Sequence, residues 1–124
     1  MLTTIIALLT PLTVSVEGID TSQGGQFYVT VQTEEQFRRP AQVAGAVVDP
    51  TEATMTFEFD VPAGTYAVSV WHDEEGNGVF DRKSDGWPDD GWGMSGPGGY
   101  QFNDAKIEVG SSALSITIDM TYPE

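Results

Sequence analysis

The sequence predicts an all-β fold: a single antiparallel β-sandwich of about seven strands, immunoglobulin-like or transthyretin-like, with one long loop rich in Gly, Asp and Trp. Three observations lead there. Apolar residues recur with period two in short runs. Turn signals such as TSQGG and PAG separate those runs. No stretch sustains a 3.6-residue period, so a sheet with one apolar face has only a second sheet to cover it. At 124 residues and 40% hydrophobic, the chain can bury one small core and has no room for a second domain.

The first eleven residues, MLTTIIALLTP, are apolar and uncharged. They resemble the h-region of a secretory signal, so the expectation is a periplasmic or secreted protein, with residues 1–11 a signal peptide or its remnant and 12–124 the domain. No Lys or Arg precedes the run and no A-x-A site follows it, so a short N-terminal strand or tail is the competing reading. The run is too short to span a bilayer, which takes about 20 apolar residues.

After Pro11, Leu12, Val14 and Val16 share one face, with Thr13, Ser15 and Glu17 on the other. The TSQGG turn then leads to QFYVTVQT, where Phe27, Val29 and Val31 alternate with Tyr28, Thr30 and Gln32, and the pair reads as a hairpin. EEQFRRPAQ breaks the alternation and reads as a loop before a weak strand at VAGAVV. The clearest strand is TMTFEFDVP, with Met55, Phe57, Phe59 and Val61 inward and Thr56, Glu58 and Asp60 outward. TYAVSVWHD follows, with Tyr66, Val68, Val70 and His72 on one side and Ala67, Ser69 and Trp71 on the other. Residues 73–104 hold most of the chain's glycines and read as one long functional loop. AKIEVG and SALSITIDMTY then read as a closing hairpin.

Charge narrows the function classes. Nineteen Asp and Glu against five Lys and Arg give a net charge of -14, which repels nucleic acid backbones and anionic membrane surfaces. Without Cys there is neither a disulfide framework nor a thiolate metal site, and a single His excludes the multi-His zinc arrangements.

The stretch WHDEEGNGVFDRKSDG (71–86) concentrates the acid. Counted from Asp73 as an EF-hand-type loop, ligand positions 1, 3, 5, 7 and 9 fall on Asp73, Glu75, Asn77, the Val79 carbonyl and Asp81, and the turn glycine on Gly78. Ser84 stands where a bidentate Glu belongs, with Asp85 one residue later as a displaced closing ligand. Carboxylates about 6 Å apart repel by roughly 3 kcal/mol at an effective dielectric near 20, and a hard cation such as Ca²⁺ offsets this directly. The rival reading is a solvated acidic turn neutralised by Arg82 and Lys83. His72, beside Asp73, reads as a structural strand-end residue, since catalysis would require a partner and a pocket.

Trp87, Trp92 and Tyr100 stand among glycines and prolines in GWPDDGWGMSGPGGY. They suit stacking on a sugar ring or insertion into a protein partner, or they fold back as a satellite core over the end of the sandwich. The adjacent Asp89 and Asp90 are not spaced as a glycosidase pair.

PAGTYAVSVWHDEEGNGVFD, followed by GWP and DGWGMS, resembles the bacterial domain-of-unknown-function family 2141 over residues 12–122. The matching positions are Gly64, Tyr66, Ala67, Val68, Val70, His72, Asp73, Asn77, Gly78 and Asp81, and Glu75 departs from the family's usual Asn. The resemblance implies a secreted or periplasmic β-sandwich. The spacing in residues 71–86 is also similar to the calcium-binding B-type repeats of surface adhesins, a likeness that includes Asp85. Neither resemblance supplies a reaction, and the catalytic His and Arg set of the transthyretin-like hydrolases has no counterpart. The expectation is a non-catalytic exported domain with a calcium-binding acidic loop; the alternative is a glycan- or cell-surface-protein-recognition module, with a hydrolase the weaker third.

Overall fold

A computed structural model describes residues 8–22, 24–80, 82–86, 89–97 and 99–123. Two sheets face each other across one core. The strands are β1 (Leu9–Glu17), β2 (Gln26–Gln32), β3 (Ala44–Val48), β4 (Met55–Pro62), β5 (Gly64–Asp73), β6 (Gly91–Met94), β7 (Lys106–Val109) and β8 (Leu114–Asp119), with a short helix α1 (Phe102–Ala105) before β7. The first sheet has the order β4-β1-β8, and the second the order β3-β2-β5-β6 with β7 also on β5. The expected sandwich is present, with eight strands among the described residues rather than about seven.

Period-two alternation decides which side chains meet. Leu12, Val14 and Val16 of β1, Phe57 and Val61 of β4 and Ile118 of β8 are buried from one sheet, and Phe27, Val29, Val31, Tyr66, Val68 and Val70 from the other. Phe27 and Phe57 stack across the two sheets with centroids 6.3 Å apart. Each such side chain stabilises the fold by about 1.5–3 kcal/mol when fully buried.

The strand pairings correct two expectations. β1 and β2 are not a hairpin: β1 pairs β4 antiparallel and β8 parallel, while β2 pairs β3 and β5. The final two strands likewise separate, β7 joining β5 and β8 joining β1. Alternation identifies a strand's faces but carries no information about its partner. In a sandwich each turn is free to cross between sheets, as 62–64 also does between β4 and β5. β1 starts at Leu9, ahead of the expected boundary, and Leu9 to Pro11 pair with 60–62.

The long segment after Asp73 is not one structureless loop either. It returns to the sheet as β6, in register with Ser69–His72, and then forms α1. Its glycines have a packing reason. Gly91 and Gly93 turn toward the core side, where an added Cβ would lie 2.3 Å from the Tyr122 ring and 2.7 Å from Ile118. β5 therefore exchanges partners along its length, β7 beside its first half and β6 beside its second. Buried Ser95 closes the gap: its hydroxyl accepts the Val68 N–H at 2.8 Å and donates to the Ala105 carbonyl.

Candidate functional site

The end of β5 is held by a buried polar knot. His72 is fully buried; its Nε2 lies 2.6 Å from the Gly24 carbonyl and its Nδ1 2.7 Å from the Tyr122 hydroxyl. A carbonyl only accepts, so Nε2 carries a proton, and in the neutral ring Nδ1 accepts the Tyr122 O–H. That hydroxyl also accepts the Asp20 N–H at 2.9 Å. Both ring nitrogens are thus engaged with the protein. Burial, the largest effect, raises the Tyr122 hydroxyl to about 12, and the Glu74 and Asp20 charges push the same way.

One residue on, Asp73 is 1% exposed, and its carboxylate accepts the backbone N–H of Gly78 at 2.7 Å and of Asn77 at 3.3 Å. This folds the acidic loop back over its first residue. Gly76 and Gly78 supply the positive φ, 66° and 73°, that the turn requires. Asn77 Oδ1 accepts the Val79 N–H at 3.0 Å. On the other side Gly25 packs so closely that a Cβ would fall 1.9 Å from the Asp73 carbonyl oxygen.

Oxygen atoms of Asp73, Glu75 and Asp90 lie within 4.8 Å of one another. Asp73 and Asp90 are buried and Glu75 is exposed. Asp90 is oriented by the Trp71 indole, whose Nε1 donates to its Oδ2 at 2.9 Å. Burial is the largest effect raising the Glu74 carboxyl; the Asp90 and Asp20 charges add to it, while His72 and the Gly91 backbone amide oppose it.

Of the ligands expected from sequence, Asp73 and Glu75 are in this group, with Asn77 and Val79 on the turn beside it. Asp81 lies outside the described residues. Asp85 lines a groove together with Arg82. Arg82 is the rival counter-ion of the sequence reading; it donates to the Gly86 carbonyl at 3.0 Å and lies over the Phe80 ring. Asp90 stands just before β6, and spacing within a loop does not reveal a carboxylate that the returning strand brings beside Asp73.

The groove has a volume of about 940 Å³ and occupies the outer face of the second sheet. Its floor is a row of aromatics in register across three strands, Tyr28 opposite Trp71 and Trp71 opposite Trp92. Tyr28 and Trp71 stack at 4.6 Å, and Trp92 meets Tyr100 at 4.8 Å. Buried Gln32 shapes one wall: the two N–H groups of its amide are shared among the carbonyls of Gln36, Arg39 and Ala41, all within 3.0 Å of the nitrogen, fixing the turn that carries Phe37, Arg38 and Arg39. Of the expected aromatics, Trp92 and Tyr100 line the groove and Trp87 lies outside the described residues. Tyr28 and Trp71 were legible as large aromatics on the outward face of their strands.

The model of an uncharacterized protein family conserved in bacteria, DUF2141, matches residues 14–117. The chain belongs to this family. No curated protein and no solved structure matches it. The match lies within the span of residues 12–122 over which the resemblance runs, and in this DUF2141 member the conspicuous His-Asp pair is the junction between the polar knot and the acidic loop. Among the described residues no helix is long and apolar enough to cross a membrane.

Proposed function

We propose that this DUF2141 protein is a non-catalytic, exported binding module whose acidic loop takes up Ca²⁺ and thereby fixes one wall of the aromatic groove. The observation that carries the reading is the approach of the Asp73, Glu75 and Asp90 carboxylates within 4.8 Å. Hard cations with several oxygen ligands suit such a set, and the like charges it gathers favour a cation over an empty cluster. In this reading Asp90 takes the closing role that the sequence assigned to Asp85, and backbone or water oxygens complete the shell. The loop continues from the cluster directly into Phe80, Arg82 and Asp85 on the groove wall, which links cation and groove. Export rests on the apolar N-terminal run, and the non-catalytic reading on the engagement of both His72 ring nitrogens.

Calorimetry with Ca²⁺ on the full chain tests the site. Saturable heat is expected, with a dissociation constant of roughly 10⁻⁴–10⁻³ M as for extracellular modules; none at millimolar calcium would refute it.

A further inference from the structure

We propose that the groove on the outer face of the second sheet binds an acidic saccharide, with sugar rings on the Tyr28–Trp71–Trp92 row and carboxylates on Arg38, Arg39 and Arg82. The inference rests on reading the chain as a binding module, and it does not require a cation on the acidic loop.

Charge complementarity selects an anion. The chain carries only five Lys and Arg against nineteen acids, yet Arg38, Arg39 and Arg82 all line this one groove. Among the described lining residues Asp85 is the single acid. Two of the arginines are held in place. Arg38 donates through Nη2 to the Tyr100 carbonyl and lies over the Phe37 ring, and Arg82 is set by Gly86 and Phe80 in the same way. Each such bond uses one of a guanidinium's five N–H donors, so a planar, pre-oriented fork remains for a carboxylate. Arg38 is also the one non-glycine residue among those described with a positive φ, 63°. A costly conformation of this kind persists where surrounding structure imposes it.

The floor selects rings. Adjacent strands lie roughly 4.8 Å apart, so the row from Tyr28 to Trp92 extends roughly 10 Å, longer than one six-membered ring. Tyr28 and Trp71 each cover one face of the other, so the apolar surface of the row is their remaining faces and edges together with the Trp92 ring, which a sugar ring meets with its C–H face. The volume is within the range of small-ligand sites. Two other anions fit less well. A nucleic acid strand also stacks on aromatic rows, but its dense charge meets a net charge of -14. An acidic peptide that adds to a sheet requires an edge, whereas this floor is a sheet face on which β2 and β5 are already paired on both sides. A saccharide with one carboxylate per ring spaces its charge sparsely and needs no main-chain partner.

The test is tryptophan fluorescence and calorimetry on the full chain, in EDTA and separately in millimolar Ca²⁺, using trigalacturonate, its methyl ester and a glutamate-rich hexapeptide. Trigalacturonate is expected to bind saturably. Esterification, which keeps the rings and removes the charge, weakens binding roughly tenfold or more, as does Arg39→Gln, an exposed change that leaves the core intact. Trp92→Ala weakens acid and ester alike. Equal affinity for acid and ester overturns the choice of an acidic ligand while leaving the groove a ring-binding site. No binding of either sugar overturns the proposal and the recognition reading of the groove together, and tighter binding of the hexapeptide overturns the saccharide class. Calcium heat, measured separately, is unaffected by any of these outcomes.

Discussion

Asp73 and Asp90 reach the same point from opposite ends of the glycine-rich segment, one as the last residue of β5 and the other immediately before β6, with carboxylate oxygens within 4.8 Å. At that separation the two charges repel by about 3 kcal/mol at an effective dielectric near 20. The backbone amides on Asp73 and the indole on Asp90 offset part of this, and a cation offsets more.

Ligand identity is separable by mutation. Asp90→Asn is expected to abolish calcium-dependent stabilisation and Asp85→Asn to leave it intact. For the wild type, calcium at a hundred times its dissociation constant adds about 2.7 kcal/mol to the free energy of unfolding. Thermal melts with and without calcium measure it; loss of the effect in Asp85→Asn with retention in Asp90→Asn would restore the ligand set read from spacing alone.

The knot at His72 is expected to behave as one unit. His72→Phe keeps a ring in the core but leaves the Gly24 carbonyl and the Tyr122 hydroxyl each without a bond from the ring, at a cost of about 1–3 kcal/mol per group. Tyr122→Phe removes the hydroxyl that His72 and the Asp20 amide share. Because the two residues are in contact, the double substitution costs less than the sum of the singles. Urea midpoints of the four proteins complete the cycle, and strict additivity would show the knot to be two independent contacts.

The strands and their inward faces were legible because each inward apolar set, Leu12-Val14-Val16 or Met55-Phe57-Phe59-Val61, repeats at the period the pleat imposes. The partners of those strands were not, since hairpin pairing and crossing to the other sheet leave the same local pattern. The acidic loop was legible from Asp73 to Val79, where local turn geometry rules, and failed to reveal Asp90, which depends on β6 returning to β5. Even the groove left a trace: Tyr28 and Trp71 stood on the outward faces of their strands, although only the register shows that they and Trp92 form one row.

Gly91 is expected to tolerate no side chain. The Cβ of Gly91→Ala would fall 2.3 Å from the Tyr122 ring, and that ring is anchored by its bonds to His72 and the Asp20 amide. Overpacking of this kind costs about 1–3 kcal/mol. A lowered melting temperature for Gly91→Ala, with most of the loss removed when Tyr122 is also changed to Leu, is the expected result; an unchanged melting temperature would mean that the C-terminal segment shifts freely.

Glu74 gives the pH dependence its sign. Burial raises its carboxyl in the folded protein, so between the ordinary carboxylate value and the raised one the folded state retains a proton that the unfolded chain has lost. Stability from this group is therefore fully present below the ordinary value and is lost as pH rises through the raised one. At neutral pH the ionised Glu74 opposes folding, with the Asp90 and Asp20 charges nearby adding to the burden. Glu74→Gln is expected to raise the urea midpoint at about pH 7 and to match wild type at about pH 3.5, below the ordinary Glu value, with EDTA present so that metal binding does not contribute. A gain of the same size at both values would assign the effect to packing rather than to charge, and a loss at neutral pH would mean that ionised Glu74 is held by a favourable partner in the folded state.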